Sequence, residues 1–70
     1  MMSLYIYKFK NIDDTPFYVN VNRIEYAMFL EVPNAPHLKR AYIRCGEGLI
    51  DTQVSTPTAE RFQAYLDSFL

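Results

Sequence analysis

The feature that most constrains the fold is a change of hydrophobic period near the C-terminus. From Leu4 to about Val54, apolar side chains recur at every second residue in several short segments, whereas after Pro57 they recur at every third or fourth. A period of two is typical of strands with an apolar face, and the longer period is typical of an amphipathic helix. The sequence therefore predicts an α+β fold: a small, mostly antiparallel sheet of four to five strands with one C-terminal amphipathic helix packed on one face.

Turn-forming residues divide the first part of the chain into short strands. The predicted strands are Leu4 to Lys10, Phe17 to Val21, Ile24 to Val32, Leu38 to Cys45 and Leu49 to about Val54. Asn11 to Pro16 collects turn formers, and Pro33 to His37 is predicted to be a loop because its two prolines cannot donate to a ladder. The link Gly46-Glu47-Gly48 makes the last two strands a β-hairpin.

The apolar residues change parity in the middle of the chain. One set is Phe17, Val19 and Val21, and the next is Ile24, Tyr26, Met28, Leu30 and Val32. Because a one-residue slip moves every side chain to the other face, a bulge or tight bend at Asn22-Arg23 is needed if both sets face one core. The longer strand then carries Glu25, Ala27, Phe29 and Glu31 on its second face.

The C-terminal helix has a recognisable start and an apolar stripe. Thr56 is predicted to cap the first turn, and Pro57 suits the first helical position. The stripe that packs on the sheet is Ala59, Phe62, Leu66 and Phe69, flanked by Tyr65 and Leu70. The side chains expected in water are Glu60, Arg61, Gln63, Asp67 and Ser68.

Seventy residues form a single domain, residues 1–70, with little stability to spare. Cys45 is the only cysteine, which excludes an internal disulfide, and with His37 it gives two of the four ligands that a structural zinc ion takes. Several strands are apolar on both faces, and one helix covers only one of them. We therefore expect a non-enzymatic interaction module that self-associates through its sheet, as a homodimer, with another protein as a possible partner.

Catalytic and cofactor signatures are lacking in the sequence. We interpret Cys45 as a packed hydrophobic residue and His37 as a solvated loop residue. The pair Asp13-Asp14 is explained better by turn formation than by a calcium-binding loop. There is no nucleophile elbow, P-loop or dinucleotide fingerprint, so neither an enzyme nor a cofactor or metal is predicted. Without a signal peptide or a bilayer-length apolar run, no membrane contact and a cytoplasmic location are expected.

One basic and aromatic strand face supports an alternative function. Arg40, Tyr42 and Arg44 alternate onto one side of the hairpin with Lys39 nearby, and cations interleaved with an aromatic are what single-stranded nucleic acid requires. This alternative is a nucleic-acid-binding or transcription-regulatory module. The competing interpretation is cross-strand pairing of these arginines with Glu25 or Glu31, in a chain whose net charge is −1.

The segment from Phe17 to Tyr26, FYVNVNRIEY, resembles the strand, short turn and following apolar step that open the FlbD family of small flagellar proteins and the LytTR DNA-binding domain. A long strand, a glycine hairpin, Ser55 and a terminal helix follow in similar order, so the likeness reaches from Phe17 to the C-terminus and rests on apolar spacing. It implies a small sheet with a terminal helix. The chain departs in its Pro33–Pro36 loop, its added first strand and its lack of basic loops, so no functional residue is carried over.

Overall fold

The computed structural model describes residues 6–46 and 48–68 and has the predicted α+β composition. Its elements are β1 (Ile6–Lys10), β2 (Pro16–Asn20), a 3₁₀ turn (Val21–Arg23), β3 (Ile24–Val32), β4 (Ala35–Cys45), β5 (Gly48–Ser55) and α1 (Thr56–Asp67). All strand pairs are antiparallel, and the helix comes last. Leu4, Tyr5, Phe69 and Leu70 lie outside the described residues.

The strands form two sheets, so the prediction of a single sheet is wrong. β1 and β2 pair with each other, and β3, β4 and β5 form a separate sheet in that order. The 3₁₀ turn separates them at the bend predicted for Asn22-Arg23, with the Asn20 side chain accepting from the Asn22 amide at 3.1 Å. Because the chain turns here, β3 does not continue the β1–β2 ladder.

The hairpin, the second sheet and the helix share one core around Phe62. Its ring stacks on Tyr7 at a centroid distance of 4.3 Å and lies 5.5 Å from Phe9 and 5.6 Å from Phe29. The buried core residues are Phe9, Val19, Ala41, Ile43, Val54, Ala59 and Phe62. Burying so many apolar side chains from all three units is what holds them together.

The orientation predicted for β3 is reversed over most of its length. A register shift between Ile24 and Tyr26 leaves Glu25 without a partner of its own on β4, which is a β-bulge. After it, Ala27 and Phe29 pack against the core, while the predicted core residues Tyr26, Met28 and Leu30 lie on the other face and are 41–46% exposed. The bulge thus changes the parity a second time.

The predicted Pro33–His37 loop is mostly strand. Val32 pairs with Ala35, so only Pro33 and Asn34 connect β3 to β4, and Asn34 adopts the positive φ of 62° that such a tight turn needs. The next β3 pair is Glu31 with Lys39, and the residues between Ala35 and Lys39 bulge away from β3. Pro36 is accommodated in the strand because no β3 partner requires its missing amide hydrogen.

The helix begins one residue earlier than predicted, and its cap is Ser55 rather than Thr56. The Ser55 side chain accepts from the Thr58 amide at 3.3 Å, whereas the Thr56 hydroxyl donates to the carbonyl of Pro36 at 2.9 Å. Ala59 and Phe62 are buried, and Tyr65 and Leu66 are half-buried against the core. The five side chains predicted to face water are all exposed.

The two edges of the larger sheet differ. The β1–β2 loop reaches β5, where the Ile12 amide donates to the Gln53 carbonyl at 3.0 Å and the Asn11 side chain donates to Thr52 Oγ1 at 3.1 Å. β3 forms the opposite edge, and its pairing with β4 is irregular at both ends. Among residues 6–46 and 48–68, no helix is long and apolar enough to cross a membrane.

Candidate interaction surface

The face of the larger sheet that points away from the core is called the open face here. It is a three-by-three array: Tyr26, Met28 and Leu30 in β3, Arg40, Tyr42 and Arg44 in β4, and Leu49, Asp51 and Gln53 in β5. The register aligns the rows, with Met28, Tyr42 and Asp51 in the middle one. Alternation along each strand positions these side chains, since the residues between them face the core.

The open face exposes an apolar patch. Tyr26, Met28, Leu30 and Leu49 are each 41–46% exposed, and they are four of the seven large hydrophobic side chains that are exposed in the described part of the chain. Tyr26 and Tyr42 stack with their centroids 6.3 Å apart and their planes inclined by 16°. Tyr26, Met28 and Leu30 lie side by side along β3, with Leu49 across Arg44 on β5, and exposed apolar surface gathered on one face is typical of a contact with another molecule.

Arg40 is held by a carboxylate on the neighbouring strand. Its Nε and Nη2 donate to the two carboxylate oxygens of Asp51 at 2.8 and 2.7 Å, and its guanidinium lies 5.4 Å from the centroid of the Tyr42 ring. The hydrogen bond with Arg40 lowers the pKa of Asp51, and the hydrogen bond with Asp51 raises the pKa of Arg40. Such bidentate pairing fixes the orientation of both side chains.

Arg44 also has an acidic neighbour. Its Nε lies 3.9 Å from Oε1 of Glu25, the extra residue of the β3 bulge. With Asp51 beside Arg40, the two cations of the open face are matched by two carboxylates. The nine residues of the open face alone carry a formal charge of +1, and counting the adjacent Glu25 makes the surface neutral. The contact of Arg44 with Glu25 fits the cross-strand interpretation, whereas the partner of Arg40 is Asp51 rather than a glutamate.

Lys39 lies apart from the other three predicted nucleic-acid residues. It alternates with Arg40 and so belongs to the opposite side of β4, where its Nζ is 3.9 Å from Oε2 of Glu31 and its side chain is 24% exposed. The structure brings Arg40, Tyr42 and Arg44 together. The sequence interpretation missed Asp51 and Leu49 on this face, although the hairpin register, counted outward from the Gly46–Gly48 link, would have placed both opposite β4.

The remaining candidates are spread over the molecule. Cys45 is half-buried at the core periphery, with Sγ 3.4 Å from the Asn20 carbonyl oxygen, and His37 is exposed in β4. In the β1–β2 loop the Asn11 side chain, rather than either aspartate, accepts from the backbone, at 2.9 Å from the amides of Asp13 and Thr15. No three metal-binding side chains cluster within the described ranges.

Comparisons of the chain with protein-family models, with curated proteins and with solved structures give no significant match. The resemblance to FlbD and LytTR domains therefore stays a prediction from apolar spacing.

Proposed function

We propose that this chain is a non-enzymatic interaction module that forms a homodimer by packing its open face against the open face of a second copy. The observation that carries the proposal is the concentration of exposed Tyr26, Met28, Leu30 and Leu49 on one side of one sheet. Removing this apolar area from water would add stability that a 70-residue core supplies only sparingly.

A second copy suits this face because the face is self-complementary in charge. In a twofold dimer the same patch meets itself, so any net charge would be repelled by its own copy. Here Arg40 is neutralised by Asp51, and Arg44 lies near Glu25. Tyr42 occupies the centre of the array and would lie close to the twofold axis, between the exposed apolar side chains of β3 and Leu49 of β5.

The dimensions of the face indicate a modest affinity. Three strands spaced about 4.8 Å apart and five residues of about 3.4 Å each give a footprint of roughly 14 by 17 Å. Interfaces of this size belong to the small end of specific protein contacts. We therefore expect dissociation in the micromolar range rather than a permanent dimer.

The alternative, single-stranded nucleic acid on Arg40, Tyr42 and Arg44, has less support. A phosphate that binds Arg40 meets a guanidinium whose charge is already matched by Asp51 through two short hydrogen bonds, and Asp51 itself repels the phosphate. Arg44 has Glu25 beside it. A surface that is neutral once Glu25 is counted supplies little of the phosphate neutralisation on which such binding depends.

The test is the mass in solution of the wild type and of two matched variants, by light scattering or sedimentation from about 1 µM to about 100 µM. Wild type should convert from monomer to dimer over this range. Met28→Lys places a charge in the middle row of the proposed interface, next to Tyr42, and should stay monomeric. Ile12→Lys makes the same change at an exposed residue of the β1–β2 loop and should dimerise like wild type.

A wild-type monomer throughout this range would contradict the proposal. Equal loss of dimer in both variants would also contradict it, since it would mean that added charge, and not the open face, controls association.

A further inference from the structure

A second surface lies on the opposite side of the molecule from the open face. It consists of Lys8, Lys10 and Tyr18 on the outer face of the β1–β2 hairpin, together with Arg61 of α1, and is called the hairpin surface here. Phe9 and Val19 alternate with these residues and point into the core. The hairpin surface is therefore separated from the open face by the whole thickness of the core.

Tyr18 has the geometry of a stacking platform. It is 63% exposed, more than any other large hydrophobic side chain in the described part of the chain. It pairs across the strands with Lys8, whose Nζ lies 5.7 Å from the ring centroid. An aromatic ring that is open to solvent and flanked by a cation accepts a nucleic-acid base by stacking while the cation contacts the backbone.

The cations of the hairpin surface are available, unlike those of the open face. Within residues 6–46 and 48–68, neither Lys8 nor Arg61 forms an ion pair, and the Lys10–Asp14 contact is long, at 3.9 Å between highly exposed groups. Arg61 bonds only weakly, from Nη2 to Thr58 Oγ1 at 3.4 Å. Glu60 precedes Arg61, but successive helical residues point about 100° apart.

A shallow cleft connects these groups. Its volume is about 270 Å³, and it is lined by Tyr7, Lys8, Phe9, Lys10, Thr58 and Arg61. The cleft runs between β1 and the first turns of α1, so a nucleic-acid backbone lying in it would be within reach of Lys8, Lys10 and Arg61. Lys8, Lys10 and Arg61 bring three cations to this cleft, and among the described residues Asp14 is the one carboxylate in ion-pair contact with any of them, although the whole chain carries −1.

We propose that the hairpin surface binds single-stranded nucleic acid, with a base stacked on Tyr18 and backbone phosphates contacted by Lys8, Lys10 and Arg61. The charge complementarity with phosphate and the exposed ring together favour this partner over an acidic peptide, which would use the cations but not the ring. The proposal is independent of dimerisation, because the two surfaces lie on opposite sides. A dimer would bind one strand on each protomer.

The test is fluorescence anisotropy of labelled oligo-dT and of an oligoribonucleotide. With three phosphate contacts, raising the salt concentration from about 50 mM to about 200 mM should weaken binding roughly 20-fold, and in Lys8→Gln only roughly sevenfold. Tyr18→Ala should weaken binding by about 5- to 100-fold through the loss of stacking. A duplex of the same length should bind less tightly than either single strand, because its bases are already stacked.

The matched control is Arg44→Gln, which removes one cation from the open face and should leave oligonucleotide binding unchanged. Circular dichroism should show that the exposed substitutions leave the fold intact. No binding at the lower salt concentration overturns the proposal, as does an effect of Arg44→Gln equal to that of Lys8→Gln. Oligo-glutamate that competes as well as unlabelled oligo-dT also overturns it, since the partner would then be an acidic peptide.

Discussion

Arg40 and Asp51 join β4 to β5 by a diagonal contact, not a directly opposite one. In the register Asp51 lies opposite Tyr42, and Arg40 lies opposite Gln53. The Arg40 side chain therefore reaches past its own partner to Asp51 and lies against the ring of Tyr42 on the way. This one pair fixes the orientation of Arg40 and Asp51 on the open face, and the carboxylate neutralises the charge of the guanidinium.

The pair predicts a loss of stability in acid. Because Arg40 lowers the pKa of Asp51, the unfolded chain binds a proton at this carboxyl more readily than the folded chain does. The stabilisation from the pair is present above pH 3.8, which is the ordinary pKa of an aspartate carboxyl. It is lost as the pH falls through the lower pKa that Asp51 has in the folded chain. In urea unfolding, the advantage of wild type over Asp51→Asn at about pH 6 should shrink as the pH is lowered below 3.8.

Asp13→Asn is the control for this measurement, since Asp13 forms no ion pair in the described residues. An advantage of wild type over Asp51→Asn that persists at the lowest pH would show that the charge on Asp51 does not cause it.

Phe62→Ala should unfold the chain or nearly so. Phe62 is fully buried and touches the hairpin, the larger sheet and the helix, and such truncations cost about 3–5 kcal/mol. That is comparable to the whole stability of a domain this small. Gln63→Ala, one residue away and exposed, should melt like wild type. A Phe62→Ala protein with an unchanged melting temperature would mean that the helix does not pack on the two sheets.

Gly46→Ala should destabilise the β4–β5 hairpin, and Gly48→Ala should not. Gly46 has φ of +59°, where a side chain costs about 1–2 kcal/mol, and its amide donates to the Arg23 carbonyl at 2.9 Å. At Gly48 the backbone is ordinary, and an added Cβ would meet the Cys45 carbonyl oxygen at an acceptable 3.7 Å. Denaturant midpoints compare the two, and equal midpoints would refute the conformational argument.

Asn11→Ala should loosen the hairpin from the larger sheet. Asn11 organises its own turn by accepting from two backbone amides and also donates to Thr52 of β5. Losing these hydrogen bonds should cost about 1–3 kcal/mol. Hydrogen exchange should accelerate at the Ile12 amide, which bonds to β5. Asn22→Ala is the control, because the Asn22 side chain forms no hydrogen bond in the described structure. This variant should leave the exchange of the Ile12 amide unchanged.

The regular periods of the sequence predict most of the elements. The helix, the glycine hairpin and the long β3 strand follow from local spacing, which depends only on neighbouring residues. The pairing of strands is different, because it depends on where the chain turns. The 3₁₀ turn after Asn20 divides the strands into two sheets, and its sequence, Val21-Asn22-Arg23, indicates a bend without saying which strands pair beyond it.

The apolar pattern of β3 does not predict which of its faces is buried. Both faces of the strand carry large apolar side chains, so the pattern alone favours the side with more of them, Tyr26, Met28 and Leu30. The bulge at Glu25 instead turns Phe29 towards Phe62, where the two rings meet edge to face. For the same reason the sequence predicts only part of the open face. Its arginines are identified as one strand face, but Tyr26, Met28 and Leu30 are predicted to lie in the core.

The irregular ends of β3 limit how the chain can aggregate. An exposed edge strand offers free amide and carbonyl groups to other chains, and a long flat one templates amyloid-like stacking. Regular pairing with β4 extends only from Tyr26 to Glu31, with a bulge before it and a shift after it. The two interruptions leave an incoming strand only a short regular stretch of β3 to pair with. An edge of this kind disfavours open-ended, fibre-like stacking of copies.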